Sequence, residues 1–334
     1  MVSYKEIEAA NALINDETAP RVAVFVGGTS GIGKATLKAL VSTGASTRIY
    51  LVGRKSSEER MQLFIQELHA INPKAEVIWT EGEVGLLAES KRICEVIKSK
   101  ESRVDLLFLT AGYAPFGTRK ETTEGLEIAQ SLEYYSRILF ILHLLPLLNV
   151  AEAPKVVSVL AGGMERVGAV NLEDLDLKKP GNFSGMKAQM QYPVMKTTTL
   201  EKLANDNPNI SFIHSWPGSV NTGNIRRSWD PNGYTFMSWF TWLILEPLIR
   251  LIGYTEEESG QRHLFQGTSA AFGGKGVSWK GTPGVNSQGK PENGLFLVTY
   301  SCDCTPNAKV LAVLREKVLT KVWDHTQEVL GPYL

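Results

Sequence analysis

The residues of this chain whose types and spacing most clearly suggest chemistry form a glycine cluster near the N-terminus. The cluster follows a short apolar run at 22–25 and precedes a run with helical character at 34–40. In such a strand–turn–helix, glycines let the backbone approach a ligand closely, and the helix N-terminus offers unpaired N–H groups and a partial positive charge to a phosphate. The pattern therefore predicts a binding site for a dinucleotide pyrophosphate, with a tight surface turn as the alternative. Its spacing is G-x-x-x-G-x-G, and the expected contacts are Gly27, Thr29, Ser30, Gly31 and Ile32.

The end of the second apolar run predicts which dinucleotide binds. Proteins that use NAD usually place Asp or Glu about 20 residues after the glycine loop, where the carboxylate holds the ribose 2′-hydroxyl. This chain has Gly53 there, followed by Arg54 and Lys55. Because a guanidinium suits a phosphate, we expect NADP(H), with Arg54 and Lys55 beside its 2′-phosphate. The alternative is that Arg54 is an ordinary solvated loop charge.

Three further segments follow predicted strands and are expected to contact the same cofactor. A carboxylate after the third strand could accept a hydrogen bond from the adenine amino group, and small residues after the fourth let the chain pass beneath a ribose. A Pro-Gly pair turns the chain after the sixth strand, and Thr222 could bond the nicotinamide carboxamide. Taken singly, each segment could be a simple turn. The expected contacts are Glu83, Val84, Ala111, Gly112, Pro217, Gly218, Val220 and Thr222.

Apolar runs typical of buried strands alternate with helical patterns along the chain. The strands are expected at 22–26, 47–52, 75–80, 104–110, 155–160, 210–215 and 294–300. Helical patterns lie near 33–43, 56–70, 86–100, 123–148, 187–205 and 306–330, and Ser3 with Glu6 predicts a capped helix over 3–15. The alternation predicts an α/β fold, a doubly wound parallel sheet with helices on both faces. We expect a single domain, residues 21–334, after an N-terminal extension, 1–20, with residues 224–290 as a lid or insertion before the last strand.

Bulk properties narrow the class of protein. The 334 residues carry 35 basic and 35 acidic side chains, a formal net charge of zero, so nothing favours nucleic acid as a partner. Three cysteines without metal-ligand spacing indicate a reducing compartment and no metal site. The N-terminus has no apolar signal segment, and the most apolar stretch, 239–252, contains Glu, Pro and Arg. We expect a cytoplasmic protein without a membrane span, with shallow membrane contact by that aromatic stretch as the alternative.

Taken together, these segments resemble the short-chain dehydrogenase/reductase family over roughly residues 20–225. The resemblance is carried by 26–33, by Leu109-Thr110-Ala111-Gly112, by Tyr192-Pro193-Val194-Met195-Lys196 and by Pro217-Gly218 with Thr222. The segments 256–265 and 322–326 are similar to a divergent fungal branch found in natural-product pathways. The resemblance implies a Rossmann-like fold and hydride transfer between a nicotinamide and a carbonyl or alcohol.

The family's reaction uses Ser, Tyr and Lys, supported by an Asn, and this chain departs from that set. In the family, the tyrosine exchanges the substrate proton, the lysine lowers its pKa and the serine hydrogen-bonds the carbonyl oxygen. Aligned on the fifth strand, the serine position falls on Ala161, which has no hydroxyl. The Asn position falls near Glu133, which is either a general acid or base or a solvated helix carboxylate.

Tyr192 and Lys196 have the i, i+4 spacing of the family's acid and its lysine, which places both on one helix face. Pro193 between them fits poorly in mid-helix. Either the helix begins at about Tyr192, or the match is accidental. Counting back from the helix end puts the family's tyrosine near Gln189 instead. The candidate catalytic residues are therefore Tyr192, Lys196 and Glu133.

Residues 224–255 are expected to cover the substrate. Their aromatic side chains suit a bulky, flat, apolar molecule, or else hold the lid against the body. The expected substrate contacts are Tyr113, Trp229, Phe236 and Trp239. The sequence thus predicts an NADPH-dependent reductase, or the reverse dehydrogenase, acting on a carbonyl or imine of a natural-product intermediate. The alternative is a non-redox ring-forming catalyst, of Pictet–Spengler or Diels–Alder type, that keeps NADP(H) bound. The leucine-rich stretch 138–149 fits either a homodimer interface or the core.

Overall fold

Seven parallel strands form one sheet. The computed structural model describes residues 2–113, 118–220 and 253–334. Within them the strands are β1 (Val22–Val26), β2 (Thr47–Gly53), β3 (Ala75–Glu81), β4 (Leu106–Leu109), β5 (Lys155–Val159), β6 (Ser211–Ser215) and β7 (Leu295–Val298). Their order is β3-β2-β1-β4-β5-β6-β7, and every neighbouring pair is parallel. Each strand coincides with a predicted apolar run.

The described helices are α1 (Tyr4–Asn11), α2 (Gly31–Val41), α3 (Glu58–Ile71), α4 (Leu87–Lys100), α5 (128–149), α6 (Gly185–Asp206), α7 (Glu256–Thr268), α8 (Ala308–Lys317) and α9 (Leu319–Leu330). Helix α5 is a continuous run of three pieces, Ile128–Gln130, the π turn Ser131–Tyr135 and Ser136–Asn149. No helix among the described residues is both long and apolar enough to cross a bilayer.

Two hydrophobic cores lie on opposite faces of the sheet. Because side chains alternate along a strand, Val24 of β1 joins one core and Phe25 joins the other. Helices α4, α5 and α6 contribute to the first core, and α2, α3 and α7 to the second. Most of the leucine-rich stretch 138–149 lies in the first core. The sheet is therefore covered on both faces, which confirms the doubly wound α/β fold.

The direction of strand addition reverses at β1. From β1 the chain adds β2 and β3 on one side and β4 to β7 on the other. At such a switch point the loops that leave the carboxyl ends of neighbouring strands diverge and open a crevice. The glycine loop after β1 and the segment after β4 are the two walls of this crevice.

The N-terminal helix forms where the capping box predicts it. The backbone N–H of Ser3 donates to Glu6 Oε2 at 2.8 Å, and the N–H of Glu6 donates to Ser3 Oγ at 3.3 Å. Ile7 is buried in the second core, and Asn11 Nδ2 donates to the carbonyl of Gln261 in α7 at 2.9 Å. Residues of the predicted extension therefore pack against the sheet body.

Several helix boundaries differ from the sequence prediction: α1, predicted over 3–15, ends at Asn11, and α5, predicted near 123–148, begins at Ile128. Helix α6 begins at Gly185, capped by Ser184, whose Oγ accepts from the N–H of Lys187 at 3.2 Å. Pro193 thus lies inside the helix, and the interpretation that the helix begins at about Tyr192 is wrong. The single helix predicted over 306–330 is divided at Val318 into α8 and α9.

Part of the predicted insertion belongs to the body. Helix α7 packs against α2, and its Leu264 and Phe265 are buried in the second core. Residues 256–268 are therefore not lid, because they cover one face of the sheet. Residues 224–252 of the predicted insertion lie outside the described residues, whereas 269–290 are described and contribute Ala271, Phe272 and Val277 to the second core.

Gly27 occupies a position where the fold leaves no room for a side chain. Its φ is +100°, and a methyl group there would lie 2.4 Å from the backbone nitrogen of Ala111. The loop is pressed against the end of β4, where the N–H groups of Thr110 and Ala111 donate to the carbonyl of Val26 at 2.8 and 3.1 Å. Glycine is required here both by the left-handed φ and by the close backbone approach.

The Gly27→Ala variant should lose about 1–3 kcal/mol of unfolding free energy, from backbone strain and the clash with β4. Urea denaturation measures this loss. Gly331→Ala is the matched control, because a methyl group there meets no atom within 4 Å. Equal denaturation midpoints for the two variants would contradict the prediction.

Candidate active site

A cavity of about 760 Å³ opens at the carboxyl ends of the strands. Segments that follow β1 to β6 supply its wall. The structure brings most of the sequence-predicted site residues together around it. Those on the wall are Gly27, Thr29, Ser30, Gly31, Ile32, Arg54, Glu83, Val84, Ala111, Gly112, Tyr113, Glu133 and Pro217.

Other predicted contacts lie away from this wall or outside the described residues. Lys55 begins the short 3-10 turn Lys55–Ser57 and does not line the cavity. Gly218 and Val220 follow Pro217 but do not line it either; Gly218 packs against the ring of Tyr300. Within the described part of the chain, no group of three His, Cys, Asp or Glu side chains is placed to hold a metal ion. The predicted residues outside the description are Thr222, Trp229, Phe236 and Trp239.

The glycine loop is shaped to receive phosphates. Thr110 Oγ1 donates to the carbonyl of Gly27 at 3.1 Å, which fixes the loop on the end of β4. A methyl group on Gly33 would lie 2.6 Å from that same carbonyl, so only glycine lets helix α2 come this close. Helix α2 begins at Gly31 on the cavity wall. The residues present therefore fit a dinucleotide whose pyrophosphate lies at this helix N-terminus.

A second guanidinium, not foreseen from the sequence, contacts the glycine loop. Arg60 of α3 donates from Nη1 to the carbonyl of Thr29 at 2.8 Å. Thr29 itself packs against Gly53, where a methyl group would lie 2.4 Å from Thr29 Cγ2. Because the contact joins α3 to the loop between β1 and α2, no local sequence pattern signals it.

Glu133 lies at the edge of the cavity in the π turn of α5, a type of turn often found at functional sites. The residue is 3% exposed, and among the described residues Oε2 finds no hydrogen-bond partner. A methyl group on Gly112 would lie 2.9 Å from Oε1, so the carboxyl lies against the segment after β4. Burial raises the pKa of Glu133 to about 7, against the opposing charges of Arg137 and Lys196. An acid with this pKa can give or take a proton near neutral pH.

Arg137, one turn beyond Glu133, joins two strand ends at the floor of the cavity. Its Nη1 donates to the carbonyls of Leu109 at 3.1 Å and Val159 at 2.8 Å, the last residues of β4 and β5. Its Nη2 donates to the carbonyl of Ala111 at 2.6 Å. Burial lowers the pKa of Arg137 to about 10, so the guanidinium stays charged at neutral pH. A fixed positive charge therefore lies beside the acid.

The two tyrosines that follow this acid in the chain are held by distant segments. The Tyr134 hydroxyl is hydrogen-bonded to Thr199 Oγ1 of α6 at 2.7 Å and to Thr326 Oγ1 of α9 at 2.5 Å. The Tyr135 hydroxyl donates to Asp176 Oδ1 at 2.7 Å. The position of the π turn thus depends on α6, α9 and the segment before α6.

Tyr192 does not reach the cavity. It is fully buried, it is absent from the described wall, and its hydroxyl donates to Glu127 Oε2 at 3.0 Å. Burial, followed by the nearby carboxyl of Glu127, raises the pKa of Tyr192 far above its usual value. The geometry does not support the expected role of Tyr192 as the substrate's acid, because its proton is committed to Glu127.

Lys196 lies behind the wall rather than on it. It is fully buried, and no residue in the described part of the chain forms a hydrogen bond with Nζ. Burial, followed by the positive charge of Arg137, lowers its pKa well below the usual lysine value, while Glu133 acts in the opposite direction. The electrostatic partners of Lys196 are therefore the two charged groups of α5, and the i, i+4 motif does not bring a Tyr–Lys pair to the cavity.

The positions that the sequence count assigns to the family's tyrosine and serine hold side chains without a hydroxyl. Gln189, one turn before Tyr192, lies on the wall of the cavity. Ala161 offers no side-chain donor, and its backbone N–H donates to His214 Nε2 at 3.4 Å. An amide and a methyl group are thus the side chains at the positions that the sequence count assigns to the family's two hydroxyls.

Comparisons with known proteins identify the family. Residues 21–161 match the model of the short chain dehydrogenases. Oxidoreductase AN1596 of Emericella nidulans is 37% identical over 339 residues, covering 99% of this chain and 98% of that protein. Short-chain dehydrogenase/reductase SAT2 of Stachybotrys chartarum is 31% identical over 357 residues, covering 99% and 97%. The chain therefore belongs to the short-chain dehydrogenase/reductase family of oxidoreductases, as the resemblance predicted.

A solved structure shows the same fold at low sequence identity. An alcohol dehydrogenase from the archaeon Thermococcus sibiricus, in complex with 5-hydroxy-NADP, superimposes with a TM-score of 0.51 at 15% identity. The match covers 74% of this chain and 89% of that one. The likeness supports the Rossmann-like fold independently of sequence.

Replacing Tyr192 by Phe should lower the free energy of unfolding by about 1–3 kcal/mol, because Glu127 loses a buried hydrogen-bond donor. Urea denaturation measures the loss, and calorimetric titration should show unchanged NADPH affinity. Tyr113→Phe, at a tyrosine on the cavity wall, is the comparison variant and should leave stability near wild type. A Tyr192→Phe protein of normal stability that has lost all turnover would show instead that Tyr192 is the acid.

Proposed function

We propose that this protein is an NADP(H)-dependent reductase of a carbonyl or imine in a bulky, apolar natural-product intermediate, and that Glu133 supplies the proton. The observation that carries the proposal is the Glu133 carboxyl at the edge of the cavity, which has one oxygen unpartnered among the described residues and a pKa of about 7. The same proposal includes a homodimer and a cytoplasmic location. Three free cysteines suit that reducing compartment.

Support for NADP(H) comes from the wall of the cavity. The glycine loop fits a pyrophosphate, and Arg54 lies on the wall directly after β2. No carboxylate stands at Gly53 to hold a free 2′-hydroxyl. The archaeal alcohol dehydrogenase of the same fold was solved with a derivative of NADP. When bound, the cofactor would supply hydride to the substrate carbon.

The side chains of α5 would then handle the proton. Below its pKa, Glu133 carries a proton that it can deliver from its cavity-side carboxyl to the substrate oxygen or nitrogen. The resulting carboxylate lies beside the fixed charge of Arg137, which favours the ionised form. In its charged form Lys196, buried behind the wall, would also favour the ionised carboxyl.

A second candidate function rests on the missing hydroxyls. Ala161 and the buried Tyr192 leave no hydroxyl on the wall at the two positions that the family uses to stabilise a developing oxyanion. A ring-forming catalyst of Pictet–Spengler or Diels–Alder type would need none, and Glu133 would shuttle protons while NADP(H) stayed unchanged. The absorbance of reduced nicotinamide distinguishes the two functions: stoichiometric loss during turnover supports the reductase, and product formation at constant absorbance supports the cyclase.

The Glu133→Gln variant should lose most reductase activity while it still binds NADPH, because an amide cannot donate the proton at neutral pH. Wild-type reduction should fall as the pH rises through about 7, since the carboxyl must be protonated to act. Oxidation of the corresponding alcohol or amine should show the opposite trend. NADPH absorbance, with flat ketones and imines as substrates, measures both directions.

Glu59→Gln, at an exposed carboxyl of α3, is the control for the loss of a charge. If Glu133→Gln reduces substrates at the wild-type rate with the wild-type pH profile, Glu133 is not the acid.

Replacing Arg54 by Ala should weaken NADPH binding by roughly 10- to 100-fold, the contribution of a charge-assisted hydrogen bond. NADH, which has no 2′-phosphate, should bind as before. Calorimetry with both cofactors measures the difference. Lys55→Ala, next in the chain but not on the wall, should have the smaller effect. Equal weakening of NADPH and NADH would show that Arg54 does not select the phosphate.

A further inference from the structure

One turn of helix α6 presents hydrogen-bonding groups that neither the cofactor nor the proton step accounts for. Gln189 lies on the cavity wall and is half-buried. Within the described part of the chain its side-chain amide makes no hydrogen bond to another residue. Because no described residue is hydrogen-bonded to it, the side-chain amide of Gln189 is available to a ligand in the cavity.

Pro193 frees a second group on the same residue. In an α-helix the N–H of residue 193 would donate to the carbonyl of residue 189, but proline has no N–H. Helix α6 continues from Gly185 to Asp206 through this proline, so the Gln189 carbonyl lacks its helical partner. Gln189 therefore combines side-chain N–H donors, a side-chain acceptor and a released main-chain acceptor.

This set of groups is complementary to one edge of a cis-amide. A lactam or cyclic imide presents its N–H and C=O side by side, and a glutamine amide can donate to that C=O and accept from that N–H. The wall nearby is apolar at Ile128, Leu132 and Leu160. A substrate amide placed among such side chains needs a hydrogen-bonding partner, because an unpaired polar group there is costly.

We infer that Gln189 is a substrate-recognition residue that binds the cis-amide edge of a lactam or cyclic imide in the substrate. The released carbonyl of the same residue serves as a second acceptor for its N–H. This inference rests on the proposed reductase function and gives its substrate a chemical class. Gln189 transfers no proton; it orients the substrate, and Glu133 remains the acid.

Isatin and N-methylisatin test the inference as a matched pair. Both are flat and carry the same reducible ketone, but only isatin has the lactam N–H. Each is titrated calorimetrically into protein saturated with NADP⁺, where no hydride is available. Wild type should bind isatin about five- to tenfold more tightly, the value of one neutral hydrogen bond. Gln189→Ala should abolish that preference and leave NADP⁺ affinity unchanged.

Two further variants separate recognition from a general change in the helix. Met190→Ala alters an exposed neighbour that is not on the wall and should keep the full preference. Pro193→Ala returns an N–H to the Gln189 carbonyl and should reduce the preference without abolishing it. Retention of the preference in Gln189→Ala overturns the inference.

Wild-type binding decides the remaining cases. If wild type binds both compounds equally, or binds neither, Gln189 does not recognise an amide edge and the inference is wrong. If the protein binds no NADP⁺, the proposed function fails on its own. The isatin preference of the cofactor-free protein and its loss in Gln189→Ala then still decide the inference.

Discussion

The site depends on a buried guanidinium, that of Arg137, at the carboxyl ends of β4 and β5. A buried charge is tolerated only when its donors are satisfied, and Arg137 meets this condition with carbonyls at the ends of β4 and β5. The same bonds fix the floor of the crevice. They also place a positive charge beside Glu133, so that burial and attraction pull the pKa of this carboxyl in opposite directions. A group balanced in this way changes protonation state near neutrality.

The fold is that of the family, but the Tyr–Lys motif found in the sequence does not line the cavity. The motif Tyr192–Lys196 lies on α6, yet one of these side chains is engaged by Glu127 and the other lies buried behind the wall. The cavity wall carries instead a carboxyl and a guanidinium of α5 and the amide of Gln189. Function on a shared scaffold is set by such side chains and not by the topology that carries them.

Features governed by local pattern could be predicted from the sequence. Buried parallel strands are continuous apolar runs, so all seven were located, and the glycine loop is a contiguous motif whose backbone demands are visible in its residue types. Properties set by tertiary contacts could not be predicted. The i, i+4 spacing places Tyr192 and Lys196 on one face of a helix but does not say whether that face meets a cavity. Arg60 reaches the glycine loop across two secondary-structure elements, and the orphaned oxygen of Glu133 is defined only by its surroundings.

The hydrogen bond between Tyr134 and Thr326 has a consequence for the order in which the protein folds during synthesis. Tyr134 lies in the π turn of α5, directly after Glu133, and Thr326 lies in α9, 192 residues later. During synthesis, the π turn lacks this anchor until residue 326 has emerged from the ribosome, because a long-range contact forms only when both segments are present. The glycine loop and its strand can thus form early, while the turn that carries Glu133 gains this anchor only after α9 has been made.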